Sequence, residues 1–302
     1  MHIPDGFLST RIAVSLDAIS GATILYASRR VRFATSDRLI PVMGVLAAFV
    51  FASQMLNFPI IGGTSGHLVG GALLGILLGP MAGFLTMATV LIAQALFLQD
   101  GGLLALGANI FNIGAVTAFV GHGTYSLLGG GKGNPKRVTF AGFVAAFLSL
   151  IASAACCALQ LALSGTIPLQ IGLPAMVGYH AVIGMIEGGL TAGILSFLLH
   201  VRPDLLNSDI KPKLNILDWA GALILVAIPA AILATAGSSG LPDPLQGLLI
   251  SNAPPPPSAA DAQQLLSSGR FTDYAFRLGI FFLFVCIVYI AARLAPGRRH
   301  SP

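Results

Sequence analysis

A chain that begins Met1-His2 carries a metal chelate in its first two residues. The α-amine and the His2 amide nitrogen would close a five-membered ring around a metal ion. The His2 amide and the imidazole Nδ1 would close a six-membered ring, once the amide has lost its proton. Three nitrogens in one plane ask for a fourth, and a planar four-nitrogen field suits Ni(II) or Cu(II) among divalent ions. His67 is the natural source of that fourth nitrogen. It sits in GGTSGHLVGG at 62–71, where Gly62, Gly63, Gly66, Gly70 and Gly71 let another segment approach its imidazole. This chemistry needs Met1 to be the mature terminus. MHIPDGFLST lacks the basic start and apolar stretch of a secretory signal, and the bulky His2 disfavours removal of the initiator methionine.

Other polar residues lie within apolar stretches: Asp17, Gln54, Gln94, Asn109, Asn112, His180 and Glu187. Such residues are either interhelical hydrogen-bond glue or groups that handle a ligand or a proton. Glue is the expected role of Asp17, the two asparagines and Glu187. A proton-driven secondary permease would instead use Asp17 or Glu187 as the carrier. An enzyme reading also exists. Gly63-Thr64-Ser65-Gly66 fits the GxSG pattern of rhomboid intramembrane proteases, and His180 with Gly184 and Gly188 resembles their histidine helix. A Ser65–His180 dyad would supply nucleophile and base. The pattern is short and Ser65 lies at an outer rim, so no enzymatic activity is expected. Cys156, Cys157 and Cys286 lie in apolar runs without a CxxC pair and read as packing residues.

The elements that must position these groups follow from composition. Of 302 residues, 55% are hydrophobic and 9% charged, against about 25% charged in soluble domains. Mean hydropathy is +0.86. These values exclude a soluble enzyme, a disordered chain and a disulfide scaffold, and leave an all-α polytopic membrane protein. Nine spans are expected, at 11–28, 38–58, 64–79, 81–99, 103–128, 139–164, 174–200, 216–236 and 277–295. The third is short and Gly-rich at its outer end, so irregular backbone over 58–70 marks a place for a site. Gly71, Gly75, Gly79 and Gly83 make a small-residue face, as do Ala18 and Ala22. Internal packing is the expected use, with docking of a partner subunit the alternative.

Thirteen of the sixteen Lys and Arg fall on one side of this arrangement, in the loops after spans one, five and seven and beyond span nine. The N-terminus is therefore expected outside and the C-terminus in the cytoplasm. The net charge of +5 reports this asymmetry in a lipid-embedded protein rather than a nucleic-acid partner. The chain divides into a seven-span unit at 1–202, a cytoplasmic linker at 203–213, and a two-span hairpin at 214–302 with a long outer loop, 237–275. No inverted repeat is visible, which weighs against the secondary transporters built that way.

MHIPDGF at 1–7, GGTSGHLVGG at 62–71 and QDGGLLALGANIFNIG at 99–114 resemble the CbiM/NikM family. These are the substrate-capturing membrane components of energy-coupling-factor (ECF) transporters for cobalt and nickel. The resemblance covers about 1–200, three motifs in order. It implies that the N-terminus plugs into the bundle from outside. It also implies that the terminal amine, the amide and imidazole of residue two, and the histidine of the Gly-rich segment hold transported Ni2+ or Co2+. The matching positions are Met1, His2 and His67, with Asp5, Ser65, Asn109 and Asn112 as polar neighbours. No resident cofactor is implied. The hairpin 214–302 resembles the small partner CbiN/NikN or its PDGLE-type relatives, fused in frame, with GLPDPLQG at 240–247 where relatives read PDGLE. The nearest string to a P-loop, GGGKGNPK at 129–136, has glycine after its lysine. ATP hydrolysis would thus come from separate ATPase subunits, coupled through a transmembrane scaffold component.

Overall fold

The computed structural model describes residues 1–34, 39–55, 57–60, 64–130 and 134–206, with backbone alone over 32–34, 57–60 and 64–66. The hairpin 214–302, its loop, the linker beyond residue 206, Cys286, Gly62 and Gly63 lie outside the described residues.

The described part is mostly helical. An N-terminal segment leads into α1 (Thr10–Ala34) and α2 (Leu39–Gln54). Two four-residue strands, β1 (Asn57–Ile60) and β2 (Thr64–His67), then pair antiparallel, with Asn57 opposite His67. After them come α3 (Gly71–Leu78) and α4 (Pro80–Ala93), the latter running on as a π-helical turn, Gln94–Leu98. α5 (Leu106–Asn109) passes through a π-helical stretch, Ile110–Val116, into α6 (Thr117–Leu127). The long helices α7 (Pro135–Leu163) and α8 (Leu169–Val201) close the described chain, ending in a short turn, Pro203–Leu205. Among the described residues, three stretches are long and apolar enough to cross a membrane: Pro80–Leu98, Pro135–Leu163 and Leu169–Val201.

The boundaries differ from the sequence expectation where glycine decides the backbone. The expected third span, 64–79, is helical only over Gly71–Leu78. Gly70 holds φ +76°, in the left-handed region, so the helix cannot extend back through it. Within the stretch expected to be irregular, 58–70, the described residues belong to the paired strands β1 and β2 and to the turn at Gly70 that follows them. Gly79, at φ +81°, separates α3 from α4, and Pro80 opens α4 where its missing N–H costs nothing.

The small-residue face is used inside the bundle. A Cβ on Gly75 would lie 2.4 Å from the Ala118 carbonyl of α6, and one on Gly83 would lie 2.8 Å from the Gly75 nitrogen of α3. Close approach of α3, α4 and α6 therefore depends on those glycines. Ala18 and Ala22, by contrast, face outward from α1. Helix α8 packs along α7 and turns Ile171, Val182, Met185 and Ile186 outward, an apolar surface suited to lipid.

Candidate metal-capture site

The N-terminal segment runs into the core of the bundle rather than over it. Met1 and Ile3 are fully buried and His2 is 3% exposed. A chain end buried this deeply needs partners for its backbone, and the segment 100–109 supplies them. The Ile3 N–H donates to Asn109 Oδ1 at 2.7 Å, and Asn109 Nδ2 donates back to the Ile3 carbonyl at 3.1 Å. The Gly102 N–H reaches that same carbonyl at 2.9 Å. Farther out, the Asp5 carboxylate accepts from the backbone N–H groups of Leu103, Leu104 and Ala105. Thr166, at the turn between α7 and α8, donates to the Phe7 carbonyl. Gly101, at φ +95°, lets the chain pass close by, for a Cβ there would lie 2.9 Å from Asn109 Nδ2. The tail is thus held from Ile3 to Phe7, which fixes Met1 and His2 in place.

What this places together is the pair of imidazoles. The His2 and His67 rings stack with centroids 4.6 Å apart and planes 22° from parallel. The structure therefore brings Met1, His2 and His67 into one buried locus from sequence positions more than sixty residues apart. His67 Nδ1 lies 2.8 Å from the Leu68 carbonyl, a contact that puts its proton on Nδ1. Its Nε2 is left buried and without a hydrogen-bond partner. His2 differs from the sequence expectation in one respect. Its Nδ1 faces the Asp100 carboxylate at 2.8 Å, whereas the chelate needs that nitrogen turned to the amine. Chelation requires a half-turn of the ring about Cβ–Cγ, which exchanges this carboxylate contact for the metal.

The turn that carries His67 is clamped from behind. Glu187, the chain's only glutamate, reaches from α8 to accept the N–H of Val69 at 2.8 Å and of Gly70 at 2.9 Å. Gln54 donates to the Val69 carbonyl at 2.6 Å and is itself held by Gln94 at 2.9 Å. Both partners of that turn therefore come from neighbouring helices, and the imidazole is positioned by long-range contacts rather than by its own strand.

Electrostatics favours neutral nitrogen here. Burial pushes the Met1 amine down from its ordinary 8.0 to about 5, with nearby Cys157 and Asp100 opposing the shift. Burial also lowers His2, against the pull of its Asp100 partner. Such groups present lone pairs at neutral pH. Among the described residues no cluster of three or more His, Cys, Asp or Glu side chains is arranged to hold a metal ion. A metal at this locus would therefore have to take backbone or terminal nitrogen beside the two imidazoles.

The other expected residues fall in structural places. Asp17 Oδ1 accepts the Gly107 N–H at 2.7 Å. Asn112 and Gln160 exchange two amide hydrogen bonds, at 2.7 and 2.8 Å, below the Asn109 clamp. The side chain of Ser65 lies outside the described residues, and His180 Nδ1 faces the Met176 carbonyl at 2.7 Å. Sequence reasoning did not single out Asp100 or Gln160. Asp100 had a signal, since a carboxylate just before two glycines in QDGG is placed where the backbone can bend toward a partner. Gln160 had none, being one amide in a long apolar helix. Cys157 was read as packing, and it lies buried in the same apolar cluster as Met1.

Residues 2–205 match the family described as "Cobalt uptake substrate-specific transmembrane region", CbiM. A protein of Archaeoglobus fulgidus provisionally named a fused nickel transport protein, NikMN, is 40% identical over 229 residues, 75% of each chain. The cobalt transport protein CbiM of Sorangium cellulosum is 33% identical over 216 residues, 68% of this chain and 95% of that one. A crystal structure described as a truncated transition metal transporter superposes with a TM-score of 0.62 at 32% identity, over 66% of this chain and 99% of the other.

Proposed function

The chain belongs to the CbiM family of cobalt uptake substrate-specific transmembrane regions, and from that premise we propose that it captures Ni2+ or Co2+ for an ATP-driven importer. Metal arriving from outside binds the Met1 amine, the deprotonated His2 amide, the His2 imidazole and His67. The observation that carries this reading is the stacking of His2 on His67 at 4.6 Å beside a fully buried Met1. Two imidazoles and an amine, one clamp holding the tail and another the turn after His67, have no packing role that aliphatic side chains would not fill better.

A planar four-nitrogen set favours Ni2+ over a high-spin Co2+. Seven spans at 1–202 sit in the cytoplasmic membrane of a prokaryote, N-terminus outside, with the two-span hairpin following. The basic loops face the cytoplasm, where separate ATPase subunits and a transmembrane coupling component engage the protein. The proton-coupled alternative is weakened at its carriers, because Asp17 and Glu187 both accept hydrogen bonds from backbone amides.

The test is Ni2+ binding by purified full-length protein, with Met1 free or preceded by one added residue. The added residue converts the amine to an amide and has no room beside a fully buried Met1. The extension and His67→Ala are each expected to weaken capture by about a hundredfold or more, the loss of one strong ligand. Unchanged affinity in both would refute the site.

A further inference from the structure

We propose that His180 is the exchange ligand of this site, a third imidazole outside the resting set that bonds the metal transiently as it loads and leaves. The proposal rests on the capture reading above.

Its first support is a likeness between two histidines. His67 and His180 each set Nδ1 against a backbone carbonyl, that of Leu68 in one case and of Met176 in the other. Each leaves Nε2 buried with no hydrogen-bond partner. A backbone carbonyl accepts and cannot donate, so in both rings the proton is on Nδ1 and the lone pair is on Nε2. That is the arrangement metal-ligating histidines show, with the distal N–H fixed by a second group. A histidine kept for packing alone would leave no acceptor stranded in a dry interior.

Its second support is placement. His180 is fully buried. It lies within electrostatic reach of both the Met1 amine and His67. Helix α8 packs against β2, which ends at His67. Two turns farther along α8, about 10 Å on, Glu187 holds the amides that follow His67. His180 is not part of the resting set, since no third side-chain ligand joins His2 and His67 among the described residues.

The chemistry gives such a group a task. A planar Ni(II) chelate exchanges ligands by attack of an incoming donor above the plane, through a five-coordinate state. The buried Nε2 lone pair of His180 is such a donor, already held in the protein. The bond from nickel to His180 Nε2 forms as a bond to the amine or to His67 breaks; on departure the nickel–His180 bond breaks in turn as the receiving ligand takes the metal, and the His2 amide takes back a proton from solution. His180 thereby sets how fast the site fills and empties, and contributes little to the affinity at rest.

The experiment uses purified full-length protein with Ni2+ alone as probe, following loading by stopped flow and release into excess chelator. His180→Ala and His180→Gln are expected to slow both rates by about tenfold or more, while the equilibrium Kd stays within about threefold. The glutamine variant keeps a polar side chain in place should the alanine variant fold poorly. Wild-type rates in the folded variants would overturn the exchange role. So would a Kd weakened in step with faster release, which marks a resting ligand or a structural residue. His67→Ala, measured alongside, tests the capture reading separately. If that variant binds Ni2+ like the wild type, the site itself is misplaced, whatever His180 does.

Discussion

The buried amine makes a sharp prediction about protons. A metal that binds nitrogen displaces whatever protons the nitrogens hold, so the slope of log affinity against pH counts protons released. In a free Met-His peptide at pH 7, the amine near its ordinary 8.0 is about nine-tenths protonated, and the imidazole near 6.5 about one-quarter. Adding the amide proton, the peptide releases about two protons per metal. In the folded protein the Met1 amine is pushed down to about 5 and His2 is lowered as well, so both are already neutral at pH 7. His67 carries its proton on Nδ1, against Leu68, and has none on Nε2 to lose. Turning the His2 ring from Asp100 moves its proton between nitrogens without releasing it. The protein should therefore release about one proton, that of the amide, and its affinity should rise about tenfold per pH unit near neutrality against about a hundredfold for the peptide.

The sign extends to docking of the tail. The amine's folded pKa lies below its unfolded value. Docking is thus fully favourable above pH 8 and weakens as pH falls toward about 5, by about 1.4 kcal/mol for each unit in that window. Isothermal calorimetry with Ni2+ in buffers of different ionisation enthalpy counts the protons directly. Release of about two protons at pH 7, as in the peptide, would refute the claim that burial has already neutralised the amine.

Three further outcomes are expected. Asn109→Ala leaves the Ile3 N–H without its buried partner, at about 1–3 kcal/mol, while the Ile3 carbonyl keeps the Gly102 N–H, and calorimetry should show Ni2+ affinity lower by about tenfold or more. Glu187→Ala leaves the buried Val69 amide and the half-buried Gly70 amide without their acceptor, so the thermal midpoint in detergent should fall and Ni2+ affinity with it, while Glu187→Gln should recover part of both; an unshifted midpoint would remove Glu187 from the support of His67. Gly107→Ala would set a Cβ 2.3 Å from Asp17 Cα, a clash with backbone that cannot be relieved by a rotamer, so a stability loss of at least about 1–3 kcal/mol is expected, read as earlier unfolding with the Asp17–Gly107 bond broken.

The helical architecture was legible because hydropathy alone forces helices when backbone groups have no water to bond. The three residues of the proposed chelate were legible because their chemistry is local: an amine and a histidine at one end, a histidine among glycines at the other. What holds them was not. The Asn109 clamp on Ile3 spans 106 residues and the Glu187 bonds to Val69 and Gly70 span more. Single amides and acids in apolar helices read alike until their partners are known. Asn109 and Asn112, three apart, looked like one feature, yet one binds the tail and the other pairs with Gln160. The start of α3 was misplaced because hydropathy does not register a left-handed glycine at position 70.

The disposition of the acids bears on which ions such a site admits. Among the described residues every carboxylate is engaged before metal enters: Asp5, Asp17 and Glu187 by backbone N–H groups, Asp100 by His2 until that ring turns to the metal, and Asp204 by Arg202. Magnesium and calcium bind through oxygen, and magnesium gives up its water reluctantly, so this locus offers them little. A metal able to strip the proton from an amide meets two imidazoles and an amine that burial has already made basic in form and poor in charge. Selection against the abundant hard cations then follows from the hydrogen bonds that occupy the carboxylates, as much as from the nitrogens themselves. Freeing a carboxylate beside the site, by replacing its N–H partner, would be the change that lets the wrong ion in.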